Sequence, residues 1–146
     1  MSHPVERSRL TAALVLFLAA LSGCGGGSST SPLQPTAVAA STTVDTFTGQ
    51  VTSGGVSSQP FTVTAPGTIT IAITAITPLS SLTMGIGLGV WDGSTCSVSL
   101  TSSSAHQGDT FSATTSSAGN YCVALFDVGN ILPDVTVGYE MTVTHT

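Results

Sequence analysis

From Val44 to Thr144 the chain alternates apolar and polar residues with a period of two, and turn-forming residues break the pattern at short intervals. Successive side chains of a strand point to opposite faces, so such a run buries one face and wets the other. The clearest case sets Ile69, Ile71 and Ile73 against Thr68, Thr70, Ala72 and Thr74; Tyr139, Met141 and Val143 repeat it against Glu140, Thr142 and Thr144. The pattern predicts strands at Val44–Thr52, Gln59–Ala65, Gly67–Thr77, Leu82–Trp91, Cys96–Thr101, Thr110–Thr115, Tyr121–Val128 and Thr136–Thr144. Between them lie Ser53-Gly54-Gly55, Pro66-Gly67, Pro78, Asp92-Gly93, Gln107-Gly108-Asp109, Ala118-Gly119-Asn120 and Gly129-Asn130, residues that turns require. No stretch of this region carries a helical period. Turns at that spacing predict an all-β fold, an antiparallel, jelly-roll-like β-sandwich of about eight strands. The domain spans 44–146, about 100 residues, which is enough for one core and too short for two.

One predicted strand departs from simple alternation. In Met84-Gly85-Ile86-Gly87-Leu88-Gly89 a glycine fills every second position. A strand face without side chains suits the close approach of another backbone or a bulge, with a ligand platform as the second reading.

Upstream of the domain the grammar changes. Arg7 and Arg9 form a positive stretch, and Leu10 to Leu21 (LTAALVLFLAAL) form an apolar run too short to span a bilayer core, which needs roughly 20 residues. Residues 1–23 therefore read as a signal peptide. The run ends in Leu21-Ser22-Gly23-Cys24, which resembles the lipobox of bacterial lipoproteins. The resemblance implies diacylglycerol on the Cys24 thiol, cleavage between Gly23 and Cys24, and a fatty acyl chain such as palmitate on the new amine. Several acyl chains give durable anchoring where one is marginal. Gly25 stands where, in that family, an Asp favours inner-membrane retention, so the resemblance implies a cell-envelope protein at the outer membrane. Residues 24–43, the lipidated Cys and then GGGSSTSPLQPTAVAASTT, lack apolar periodicity and read as a flexible Gly/Ser/Pro linker.

With Cys24 taken by lipid, Cys96 and Cys122 remain as an even pair in an exported, oxidising setting. A disulfide is the inference; a metal pair or a catalytic thiol competes with it, but no CxxC spacing or nearby His ligand accompanies either.

The charges narrow the partners. The basic residues Arg7 and Arg9 belong to the leader, so the chain beyond it carries Asp45, Asp92, Asp109, Asp127, Asp134 and Glu140 and no Lys or Arg. Such a surface does not neutralise phosphates, which argues against nucleic acid and anionic headgroups as direct partners. The partners left are the membrane through the lipid on Cys24 and an extracellular polymer or envelope protein.

Within the domain, FTVTAPGTITIAITAI, GIGLGVWDGSTCSV, SAGNYCVALFDVGN and YEMTVTHT resemble, in order, strands and hairpins of bacterial pre-peptidase C-terminal (PPC-like) β-sandwich domains, over about Thr46 to Thr144. The resemblance implies the sandwich fold. It also brings in the family's habits, as accessory domains of secreted enzymes and, in some members, as matrix and calcium binders. The calcium-binding members carry an acidic cluster near the domain start, where this chain has only Asp45.

Catalytic chemistry finds little footing. Gly93-Ser94-Thr95 follows a strand but lacks the strand-to-helix frame of a nucleophile elbow. His106, in the loop from Ser102 to Asp109, and the penultimate His145 read as solvated polar residues. Asp92, Asp109, Asp127 and Asp134 lie at strand ends, where their oxygens could converge on calcium, the one candidate ion; Asx side chains are also what turns need, and with no dense ligand loop in the sequence the turn reading is preferred. Trp91, Tyr121, Phe126 and Tyr139 read as core, and Trp91 doubles as the candidate ligand-binding residue, since an exposed aromatic at a strand end stacks on sugar rings. The expectation is a non-catalytic, lipid-anchored binding or structural module of unknown ligand. A calcium-binding adhesin or a carbohydrate- or matrix-binding module is the alternative, and a secreted hydrolase is the least supported.

Overall fold

The computed structural model describes residues 40–146. The leader, Cys24 and all but the last residues of the expected linker lie outside that range. The described part is all-β, with β1 at Thr43–Thr52, β2 at Val56–Val63, β3 at Gly67–Thr77, β4 at Met84–Trp91, β5 at Cys96–Ala105, β6 at Thr110–Thr115, β7 at Gly119–Phe126 and β8 at Thr136–His145. They form two four-stranded antiparallel sheets, ordered β1-β8-β3-β6 and β2-β7-β4-β5. Only β4 and β5 are consecutive strands of one sheet; every other connection crosses from sheet to sheet. That is the jelly-roll arrangement of a β-sandwich.

The inner faces follow the alternation. Ile69, Ile71 and Ile73 of β3 and Val137, Tyr139, Met141 and Val143 of β8 are buried against Val63, Ile86, Val123 and Leu125 of the other sheet. A bulge between Ile73 and Ala75 resets the parity of β3, so Ile76 also turns inward. The two sheets share a polar tie as well: Tyr139 Oη of β8 lies 2.8 Å from Ser57 Oγ and accepts from Gln59 Nε2 of β2 at 3.2 Å. This is why β2 begins at Val56 instead of Gln59. Its inward Ser57 and Gln59 break the apolar pattern yet have a buried partner.

His145 corrects the sequence reading. It is not solvated but buried, 3% exposed, because the inward parity of β8 continues one step beyond Val143. Its Nε2 pairs with Asp45 Oδ2 of β1 at 3.0 Å, and its ring packs beside Phe61 at 5.2 Å.

The outer face of β2-β7-β4-β5 explains the glycine-rich strand. Gly85, Gly87 and Gly89 sit opposite Phe126, Ala124 and Cys122 of β7, on the side away from the core. A methyl group on Gly85 would meet the Phe126 ring, one on Gly87 the Val98 side chain, and one on Gly89 the Ser97 carbonyl. The close-approach reading holds: neighbouring strands lay their own atoms over this bare floor. Cys96 of β5 and Cys122 of β7 are joined as a disulfide across β4, with Cα atoms 5.7 Å apart. Strands two places apart in a flat sheet would be separated by about 9.5 Å. The start of β5 is therefore curled over β4, and bulges between Met84 and Ile86 and between Leu88 and Gly89 accommodate the bend. Trp91 and Phe126 depart from the expected core positions, for both belong to this outer face.

Reducing the bridge releases a constraint between residues 26 apart in sequence. In the chain-entropy model that constraint contributes about 3 kcal/mol. Thermal unfolding of a Cys96→Ser/Cys122→Ser double variant is expected to show a midpoint roughly 15 °C lower. An unchanged midpoint would remove the bridge from the account of stability.

Candidate binding surface

The curled start of β5 shapes a groove along the outer face of the second sheet. Its volume is about 490 Å³, and Val56 and Ser58 of β2, Ala124 of β7, Cys96 and Val98 of β5, and Trp91, Ser94 and Thr95 line it. None of these side chains ionises. The groove thus joins an indole, a disulfide and short aliphatic groups with the hydroxyls of Ser58, Ser94 and Thr95.

Trp91 is half-buried at one end of the groove, where β4 turns into β5. Asp92 holds that turn. Its Oδ1 accepts from the backbone amides of Ser94 at 2.8 Å and Thr95 at 2.7 Å and from Ser94 Oγ at 3.0 Å, while Thr95 Oγ1 donates to Oδ2. The Thr95 hydroxyl, then the Thr95 and Ser94 amides, stabilise the ionised carboxylate and hold it well below the usual carboxylate range. Gly93 takes φ +103°, a conformation that suits glycine, and completes the turn. The indole is therefore presented by a rigid corner.

The other three calcium candidates, Asp109, Asp127 and Asp134, lie in loops at the other end of the sandwich. Asp127 accepts from Gly129, Asn130 and Ile131 amides on Oδ1 and from the Gly54 amide on Oδ2. One carboxylate thus organises the β7–β8 loop and the β1–β2 connection together. The Gly54 amide, with the three loop amides, pulls the Asp127 pKa down against its desolvation. Asp109 accepts from the His106 amide at 2.9 Å, and Asp134 sits at φ 65° in the β7–β8 loop. The four calcium candidates do not converge. Asp92 is at one end of the sheet and Asp127 at the other, and among the described residues no three His, Cys, Asp or Glu side chains are grouped to hold an ion.

A second cleft of about 210 Å³ includes Ser102, Ser104 and Asp109 in its lining. Beside it, His106 Nε2 lies 2.9 Å from Thr83 Oγ1 and its Nδ1 lies 3.5 Å from Asp109 Oδ2. The imidazole thus turns to a loop threonine and not to the serines. Its carboxylate neighbour stands beyond hydrogen-bond length, and that carboxylate already serves the His106 amide. The arrangement braces the loop after β5. The sequence singled out Trp91 and the four aspartates; the walls of the groove came from Val56, Ser58, Val98 and Ala124, which nothing in the strand pattern distinguished from their neighbours.

The chain matches no protein-family model and no curated protein.

Because its pKa is lowered in the folded state, Asp127 contributes stability that is present above about pH 4 and lost as pH falls through its folded value. Asp127→Asn should lower stability at pH 7 and flatten the decline of unfolding free energy between about pH 5 and pH 2. Urea titrations across that range check this, and parallel pH curves for variant and wild type would contradict it.

Proposed function

We propose that this chain is a lipoprotein of the bacterial cell envelope, carried to the outer membrane and held there through lipid on Cys24, with a β-sandwich that binds a neutral polymer without transforming it. The anchor half of this reading rests on Arg7, Arg9, the Leu10–Leu21 run and the lipobox-like Leu21-Ser22-Gly23-Cys24. The binding half rests on one observation, the uncharged groove that ends on Trp91.

An indole face offers stacking area for a sugar ring; the Ser58 hydroxyl offers a donor and an acceptor, and the Ser94 and Thr95 hydroxyls, whose protons go to Asp92, offer acceptors. The surrounding acidity repels polyanions and leaves a neutral polysaccharide as the favoured ligand class. The rigid Asp92 turn holds the ring in place before the ligand arrives, which lowers the entropy lost on binding. The motifs similar to PPC-like domains fit an accessory, non-catalytic role.

Trp91 is the single tryptophan of the chain, so its fluorescence reports on the groove alone. Titration with dextran, xylan and hydroxyethyl cellulose is expected to shift its emission and protect it from iodide quenching with at least one of them. Trp91→Ala should lose retention of that polymer in affinity electrophoresis. An indole blind to all three, with retention unchanged in the variant, would exclude the groove as their site. For the anchor, wild type is expected to carry acyl mass on Cys24 and to pellet with outer membranes, and Cys24→Ala to do neither. A chain cleaved elsewhere and soluble in both forms would refute it.

A further inference from the structure

The end of the sandwich opposite Trp91 carries a second surface, independent of the groove. There the β3–β4 and β7–β8 loops meet around an apolar notch of about 120 Å³, whose lining includes Pro78, Leu79, Leu82, Ile131, Leu132 and Val135. Leu82, Ile131 and Val135 form its floor, joined to the core. Leu79 and Leu132 stand at its rim, 59% and 70% exposed.

Two leucines held in water over an apolar hollow would be expected to fold down into it if their loops were free. The loops are not free. Asp127 takes the amides of Gly129, Asn130 and Ile131, Asn130 Nδ2 donates to the Thr83 carbonyl across the two loops, and each rim leucine closes its own turn through its carbonyl, accepting from Leu82 N and Val135 N. The notch is therefore held open with its apolar rim raised, the state in which a binding surface loses least entropy.

Its setting specifies the occupant. Asp127 and Asp134 lie in the loop that carries Leu132, and Asp109 lies in the adjoining loop, whose His106 bonds to Thr83 beside the notch. No Lys or Arg occurs among residues 40–146 to offset them. Strand β1 pairs antiparallel with β8 from Thr43↔His145 to Thr52↔Thr136, so the chain ahead of Thr43 joins the domain at the far end from the notch, about 30 Å away. We propose that the notch docks a segment of a partner protein that inserts one apolar side chain between Leu79 and Leu132 and sets flanking Lys or Arg residues against the acidic loops. Anionic lipid is repelled by the same carboxylates, and a second copy of this chain would bring acid against acid.

The test uses the full ¹⁵N-labelled chain at low salt and three capped tripeptides: arginine-leucine-arginine, glutamate-leucine-glutamate and arginine-serine-arginine. The first is expected to move the amide resonances of Leu79, Leu82, Ile131, Leu132 and Val135 in a saturable way, and the other two to bind at least about tenfold more weakly. Leu79→Ser/Leu132→Ser, at two exposed positions, should remove the response while the rest of the spectrum stays folded. Equal responses to all three peptides, or none at the notch, would overturn the proposal. So would notch shifts that depend on protein concentration without peptide, which would assign it to a second copy, or notch broadening by phosphatidylcholine vesicles in a Cys24→Ala chain, which would assign it to lipid. The indole emission of Trp91 remains a separate readout, so failure here leaves the groove untouched and failure there leaves the notch.

Discussion

The approach of β5 to a strand face without side chains sets the shape of everything on the outer side of the second sheet. Gly87 and Gly89 leave β4 bare on that side, and Val98 and the Ser97 carbonyl occupy the space that side chains would have filled. The Cys96–Cys122 bridge then spans β4 and holds the curled strand down. Packing and covalent closure depend on each other here: the bridge needs the short reach that glycine allows, and the close backbone contact needs the bridge to stay shut. The groove beside Trp91 exists because β5 bends at this point. Any reading of that groove as a binding surface depends on the bend first.

Charge plays a complementary part. A domain without Lys or Arg has no strong cations to pair its carboxylates, and the structure uses backbone amides in their place. Asp92 fixes the corner that presents the indole, and Asp127 fixes the loop that raises Leu132. The same residues that look like metal ligands in the sequence are thus consumed locally as turn organisers. Each surface is built on a stiff loop, and each stiff loop is built on one aspartate. Under the proposed roles, the acidity left facing solvent favours a neutral ligand at the groove and a cationic one at the notch.

Much of this was legible in the sequence, and the failures have physical causes. Strong alternation in β3 and β8 placed Ile69, Ile71, Tyr139 and Met141 inside, and parity alone marked His145 as buried had it been carried one residue further. Strand β5 runs on to Ala105 instead of ending at Thr101, because its serines hold position by backbone pairing to β4, which leaves no apolar trace. β7 defeats the period-two rule from the other side. Tyr121, Val123 and Leu125 face the core while Cys122, Ala124 and Phe126 face outward, and both sets are apolar. With two apolar faces, periodicity does not tell inside from outside, so Phe126 and Trp91 read as core. Asp92, Asp109 and Asp127 act as the turn formers that the sequence favoured, since an Asx side chain finds amides within a few residues of itself. The notch was invisible, because two loops separated by about 50 residues in sequence create it, and no local pattern records that meeting.

Native-state amide hydrogen exchange on Gly89→Ala tests the central dependence most directly. A methyl group there meets the Ser97 carbonyl, so the account predicts that protection falls selectively in β5 and along its pairing with β4, while the β1-β8-β3-β6 sheet keeps its protection. Uniform loss across both sheets, or protection of β5 equal to wild type, would contradict the claim that the bare face of β4 is what holds β5 in place.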